Sequence, residues 1–130
     1  MAIRVVRLGT PRTSDEGVRI GTVRLPPRGV PKSEFASRNW YDVWFPLLAP
    51  SLETMKLAQA AKTPAQWERF AQRYRAEMSK PDAQHAIGLL ATLSRDANFS
   101  VGCYCEDEAR CHRSLLRELL IEQGAKVAQP

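Results

Sequence analysis

The order of signals in residues 99–128 constrains this chain most. Phe99–Cys105 is a short apolar run, Glu106 to Arg110 is a polar turn, and Cys111–Gln123 has helical periodicity. Leu115, Leu116, Leu119 and Leu120 form the helix's apolar stripe, and Gly124 stands where a left-handed C-terminal cap is expected. Ala125–Ala128 reads as a returning strand. A strand that returns after a helix pairs in parallel, so this segment predicts a C-terminal βαβ unit.

The rest of the chain agrees with a parallel arrangement. AIRVVRL (2–8) and VRIGTVRL (18–25) are rich in β-branched residues and predict strands, joined by the turn-rich GTPRTSDEG. PPRGVPKSEF (26–35) is too rich in proline for a regular element and predicts a loop. Trp40, Tyr41, Trp44 and Phe45 follow it and need burial, either in the core or loop or against a ligand or partner. Helices are expected after Pro50. Ser51 caps the first, with Leu52, Met55 and Leu57 available for burial. Thr63-Pro64-Ala65-Gln66 is a capping box with proline at the first helical position. The helix it opens places Trp67, Phe70, Ala71, Tyr74 and Met78 on one face. A third runs over Asp82–Ser94 with Ala86, Ile87, Leu90 and Leu93 inward, and His85 beside them reads as structural. The expected fold is a single α/β domain over residues 1–130, a mainly parallel sheet flanked by helices.

Composition excludes several classes. With 44% hydrophobic and 25% charged residues, the chain is ordinary globular material, neither disordered nor collagenous. No apolar run approaches a membrane span, and the N-terminus has no signal-peptide pattern. Three cysteines are an odd number for a disulfide framework, so a cytoplasmic protein with free thiols or thiolate ligands is expected. The net charge of +5 sits entirely in residues 1–40, where seven of the eight basic side chains are arginine.

Chemistry-bearing residues converge on Gly102–Arg113, which holds all three cysteines and one of the two histidines. Strand alternation points Cys103 and Cys105 the same way. Cys111 and His112 fall where a helix begins beyond a strand's carboxyl end, the usual ligand position in parallel sheets. Helix N-termini favour anions and thiolates. Arg113 gains nothing from the dipole there, so its presence suggests that something negative is held nearby.

Cys105, Cys111-His112-Arg113-Ser114-Leu115-Leu116, the upstream Arg24-Leu25-Pro26-Pro27-Arg28-Gly29, Ala49-Pro50-Ser51 and Trp67/Phe70/Tyr74 together resemble the DUF488 family, a domain of unknown function. The resemblance covers roughly residues 18–124. The chain departs from the family pattern at Pro26, where tryptophan is usual, and at Val23, where aspartate often stands. The resemblance implies a small α/β fold and points to Arg24, Arg28, Cys111, His112 and Arg113, without naming a reaction.

Three readings of the segment stand. In the first, the cysteines are small buried hydrophobes and Arg113 bridges Glu106, Asp107 or Glu108. In the second, Arg24, Arg28 and Arg113 hold a small phosphate- or carboxylate-bearing ligand. His112 then donates a hydrogen bond or acts as general acid, and Cys111 (favoured) or Cys105 is the nucleophile of a cysteine-dependent transferase or hydrolase. No cofactor is needed. In the third, Cys103, Cys105, Cys111 and His112 ligate zinc. The spacing counts against that set, because zinc ligands usually come as Cys-x2–4-Cys pairs and adjacent Cys111 and His112 chelate together poorly. Nucleic acid is the alternative partner for the arginine-rich N-terminus. Arginine's donor fork suits a specific small anion better than general attraction.

Overall fold

Four strands form one sheet in the computed structural model, which describes residues 1–129. They are β1 (Ile3–Arg7), β2 (Val18–Gly21), β3 (Val43–Trp44) and β4 (Phe99–Cys103), in the spatial order β1-β4-β2-β3 with every pairing parallel. The helices are α1 (Leu52–Ala60), α2 (Pro64–Met78), α3 (Pro81–Leu93) and α4 (His112–Glu122). The expected single α/β domain with a parallel sheet is what forms. The C-terminal return shrinks to one parallel bridge, Val127 to Ile3, and the edge strand β3 arises inside the aromatic segment.

Local signals set the helix starts. Ser51 accepts the Thr54 N–H at α1, and both halves of the Thr63/Gln66 capping box form at α2. Glu77, the last residue but one of α2, accepts hydrogen bonds from Ser51 N–H, Ser51 Oγ and Thr54 Oγ1, and so ties α2 to the start of α1. Phe70, Tyr74 and Met78 of α2, Ile87 and Leu90 of α3 and Leu116 and Leu120 of α4 bury against Ile3, Phe99 and Val101 of the sheet. Leu52 and Leu93, expected inward, are exposed.

The opposite face of the sheet is covered by irregular chain rather than by helices. Gly21 and Gly102 are register partners on β2 and β4. A Cβ at Gly21 would lie 2.4 Å from the Tyr41 ring, and one at Gly102 would lie 2.6 Å from Leu8 Cδ2, so glycine lets both side chains lie flat on the strands. Beside them Arg19 of β2 is fully buried. Its Nε and Nη2 donate to Glu16 at 2.7 and 2.9 Å, and its Nη1 donates to the carbonyls of Thr10 and Asn39. Ser100 Oγ of β4 donates to the same carboxylate at 2.7 Å.

Glu16→Gln leaves a buried guanidinium without its counter-charge and is expected to cost about 3–5 kcal/mol in denaturant unfolding. A loss under 1 kcal/mol would show that the pair does not hold the loops.

The same carboxylates set the acid response. Burial works against the charged forms of Glu16, Asp42 and Glu77. Their hydrogen bonds outweigh it, from Arg19 and Ser100, from Arg12 and the Arg19 backbone, and from Ser51 and Thr54 respectively, so all three titrate below the ordinary carboxylate range. A depressed acid stabilises the fold fully above its unfolded pKa, and that contribution is lost as pH falls through the folded value. Thermal unfolding midpoints should therefore hold steady above about pH 5 and fall progressively in more acid solution, with a shallower fall in Glu77→Gln.

Candidate functional site

Because all strands run in one direction, their carboxyl ends share one edge of the sheet, and a cleft of about 770 Å³ opens there. Arg7 from the end of β1, Val23 to Arg28 following β2, and Cys103 to Cys105 from the end of β4 line it, with Cys111 and His112 from the start of α4. Met55, Ala58 and Phe70 close the helical side, and Trp40 closes the other. Trp40 meets Tyr104 edge to face at 5.7 Å. The Tyr104 hydroxyl donates to Leu25 O, and Trp44 Nε1 donates to Val23 O, so the Pro-rich wall is pinned at two points.

The charge inside is one-sided. Arg7, Arg24, Arg28 and Arg110 line the cleft, and no carboxylate among the described residues does. Arg24 donates to the carbonyls of Pro46, Ala49 and Pro50. The Arg-Leu-Pro-Pro-Arg and Ala-Pro-Ser segments are therefore partners in space. Arg7 donates to Tyr104 O and stands 3.6 Å from Glu106 at the exposed rim. Arg28 and Arg110 are exposed and have no carboxylate partner among the described residues. Of the arginines named from the sequence, Arg24 and Arg28 reach the cleft, whereas Arg113 sits behind it, 3% exposed. Arg7 and Arg110 went unnamed. The position of Arg7 at the end of the first parallel strand was the signal that could have found it.

The three cysteines and His112 form one cluster at the floor. Cys103 Sγ lies 3.8 Å from Cys105 Sγ, and Cys111 Sγ lies 3.7 Å from His112 Nδ1. The donor atoms of Cys103, Cys111 and His112 all fall within 4.8 Å of one another. His112 Nε2 is 2.7 Å from Thr22 O, an atom that only accepts, so Nε2 carries the proton. Burial pushes the His112 pKa down to about 4, which keeps the ring neutral with a free lone pair on Nδ1. That ring accepts a proton or a metal at Nδ1 and is no acid at neutral pH. Arg113 Nη2 donates to Cys105 O, while its Nε is buried with no partner. Glu108 is held by Arg117 and Asp107 caps Ala109 N, so neither pairs with Arg113.

The thiols differ in exposure: Cys105 is exposed, and Cys103 and Cys111 are buried. Hydrogen bonds from the Cys103 and Cys111 thiols lower the Cys105 pKa, helped by the positive field of Arg113. Cys103, the donor in that contact, is raised. Cys111 is pulled down by Cys103, but its contact with Cys105 and its burial outweigh that, and it too ends raised. At the helix start, where Cys111 was expected to be the thiolate, its contact with Cys105 and its burial raise its pKa, and Cys105 is the exposed sulfur among the three that line the cleft.

Comparison with protein families identifies the chain. It belongs to the DUF488-N3a family, described as the active DUF488-N3 subclade, which it matches over residues 3–124. Comparison with curated proteins and with solved structures gives no match. The family match spans every strand and helix described above, and the Cys/His cluster lies within it. Among the described residues, no helix is long and apolar enough to cross a membrane.

In chelator-treated protein, iodoacetamide should modify Cys105 first, with Cys103 and Cys111 reacting only after denaturation. Peptide mapping by mass spectrometry reads the order. Modification of Cys111 ahead of Cys105 would reverse the assignment.

Proposed function

We propose that this DUF488-N3a protein binds a small anion with an apolar body in the cleft, where the anion meets the Cys105 sulfur. The observation that carries this reading is the lining: four arginines, two of them exposed and without carboxylate partners, face apolar walls in a cavity of ligand size that has no acidic side chain among the described residues. Arg28 and Arg110 are the free donors for a phosphate or carboxylate, and Arg24 adds charge from a guanidinium already fixed on backbone. Arg113 contributes its field from behind the floor. Leu25, Pro26, Met55 and Phe70 offer surface to the rest of the ligand.

Cys105 gives the site a nucleophile, so the reaction class that fits is a cysteine-dependent transfer or hydrolysis. The sulfur attacks an electrophilic centre of the bound anion, the leaving group departs with its electron pair, and water or an acceptor then takes the group from sulfur. Nucleic acid fits less well. Arg4, Arg12, Arg19 and Arg38 are paired with acids of this chain, and no open basic surface remains from them.

Calorimetric titration with phenyl phosphate, and with benzyl alcohol as its uncharged counterpart, tests the proposal. Saturable binding of phenyl phosphate alone is expected, weakened about tenfold or more in Arg28→Ala or Arg110→Ala, the loss of roughly 1.4 kcal/mol or more for a charged hydrogen bond. Absence of saturation, or equal affinity in both variants, would end this reading. An oligonucleotide that binds more tightly through the same arginines would move it to nucleic acid.

A further inference from the structure

The cluster at the cleft floor has an arrangement that neither burial nor anion binding requires. Two sulfurs and an imidazole nitrogen, those of Cys103, Cys111 and His112, come from the end of β4 and the start of α4 and lie within 4.8 Å of one another, and a third sulfur, that of Cys105, lies 3.8 Å from Cys103 Sγ. The geometry points to a zinc site with Cys103, Cys105, Cys111 and His112 Nδ1 as the four ligands.

Two edges of the tetrahedron fit. Zinc–sulfur bonds of about 2.3 Å and zinc–nitrogen bonds of about 2.0–2.1 Å place tetrahedral ligands roughly 3.8 Å apart for two sulfurs and roughly 3.6 Å apart for sulfur and nitrogen. The cluster has 3.8 Å between the Cys103 and Cys105 sulfurs and 3.7 Å between Cys111 Sγ and His112 Nδ1. Adjacency of Cys111 and His112 in sequence is no obstacle. Cys111 is the extended residue just before α4 and His112 is the first residue of the helix, so the backbone turns between them and both donor atoms face the same point.

The outer partners are those of a metal-bound histidine. Nε2–H of His112 donates to Thr22 O, which fixes the ring and leaves Nδ1 free to ligate. Tyr74 packs on the ring with centroids 5.5 Å apart. Thiolates and imidazole are the donor set that selects a thiophilic ion such as zinc over magnesium or calcium.

Arg113 supplies the independent observation. It is 3% exposed, has no carboxylate partner among the described residues, and keeps a buried Nε with no acceptor. A buried guanidinium without a counter-charge is costly. A divalent ion with three thiolates carries one net negative charge, and Arg113, bonded to Cys105 O, lies against it. As the ion binds, each thiol S–H bond is exchanged for a zinc–sulfur bond and the protons pass to solvent. Cys105 is then the ligand on the cleft side. A zinc-bound thiolate keeps lone pairs, so the site stays compatible with the reaction class above without depending on it.

Titration of the full, chelator-stripped protein with cobalt(II) as an optical probe, then with zinc in competition, tests the site. One equivalent should bind with the intense visible absorption of tetrahedral cobalt and the near-ultraviolet charge transfer of thiolate ligation, and zinc should abolish both. Cys105 is exposed, so Cys105→Ser should fold. It is expected to weaken zinc at least about a hundredfold and to change the cobalt spectrum, since even losing a partner behind a ligand costs 10–100-fold. Wild-type protein that takes up no cobalt or zinc at micromolar concentration, or a Cys105→Ser variant with unchanged affinity and spectrum, would overturn the four-ligand site. Arg28→Ala should bind metal like the wild type, so loss of anion binding and loss of metal binding are separable results.

Discussion

The Arg19–Glu16 pair is the interaction on which the cleft depends. One guanidinium at the middle of β2 holds a carboxylate from the preceding turn, the carbonyl of Thr10 beyond β1 and the carbonyl of Asn39 before β3. The carboxylate in turn takes Ser100 of β4. Gly9 N–H shares the Asn39 carbonyl, and Asp42 accepts the Arg19 backbone N–H. Loops that would otherwise drape loosely over the second face of the sheet are thereby fixed, and Trp40 and Tyr41 are carried on the fixed segment. A parallel sheet must be covered on both faces. Here one cover is three packed helices, and the other is an ion pair with Tyr41 and Leu8 lying on the strand glycines.

That account changes the meaning of the N-terminal charge. Arg4, Arg7, Arg12, Arg19 and Arg38 each face an acid of this chain, at distances from 2.7 to 4.0 Å. Arg24 spends its donors on three carbonyls. Arg28, on the Pro-rich wall, is the one that opens freely into the cleft. The count of charges indicated a surface, whereas the positions show internal scaffolding with a residue of positive charge left inside a pocket.

Much of this was legible in the sequence. The fold class, the capping box at Thr63, the α2 stripe and the helix after Cys111 follow from periodicity and turn chemistry, which act over a few residues. The Cys103 and Cys105 sulfurs do lie 3.8 Å apart, but β4 ends at Cys103 and not at the expected Cys105, so strand alternation does not account for it. What was not legible depends on neighbours distant in sequence. β3 is two residues long and exists because β2 offers it an edge. Leu52 looked apolar enough to bury but falls outside the packed face. Burial of Cys111 is set by Leu8, Val23 and Tyr41, from chain some seventy or more positions away, and it decides which thiol is left exposed.

The direction of the strands explains why one cluster serves both readings of the site. Thr22 just past β2, Cys103 at the end of β4 and His112 at the start of α4 meet because β2 and β4 are parallel and end together, with Gly21 opposite Gly102. Thr22 N–H and Oγ1 both donate to Gly102 O, which sets the spacing between the two strand ends. The Thr22 carbonyl then points at His112 and fixes its tautomer. An antiparallel partner would place the start of a strand there, with no carbonyl aimed at the ring. Strand direction, the tautomer and the free lone pair on Nδ1 are thus successive consequences of one pairing, and the chemistry at the cleft floor follows from the sheet.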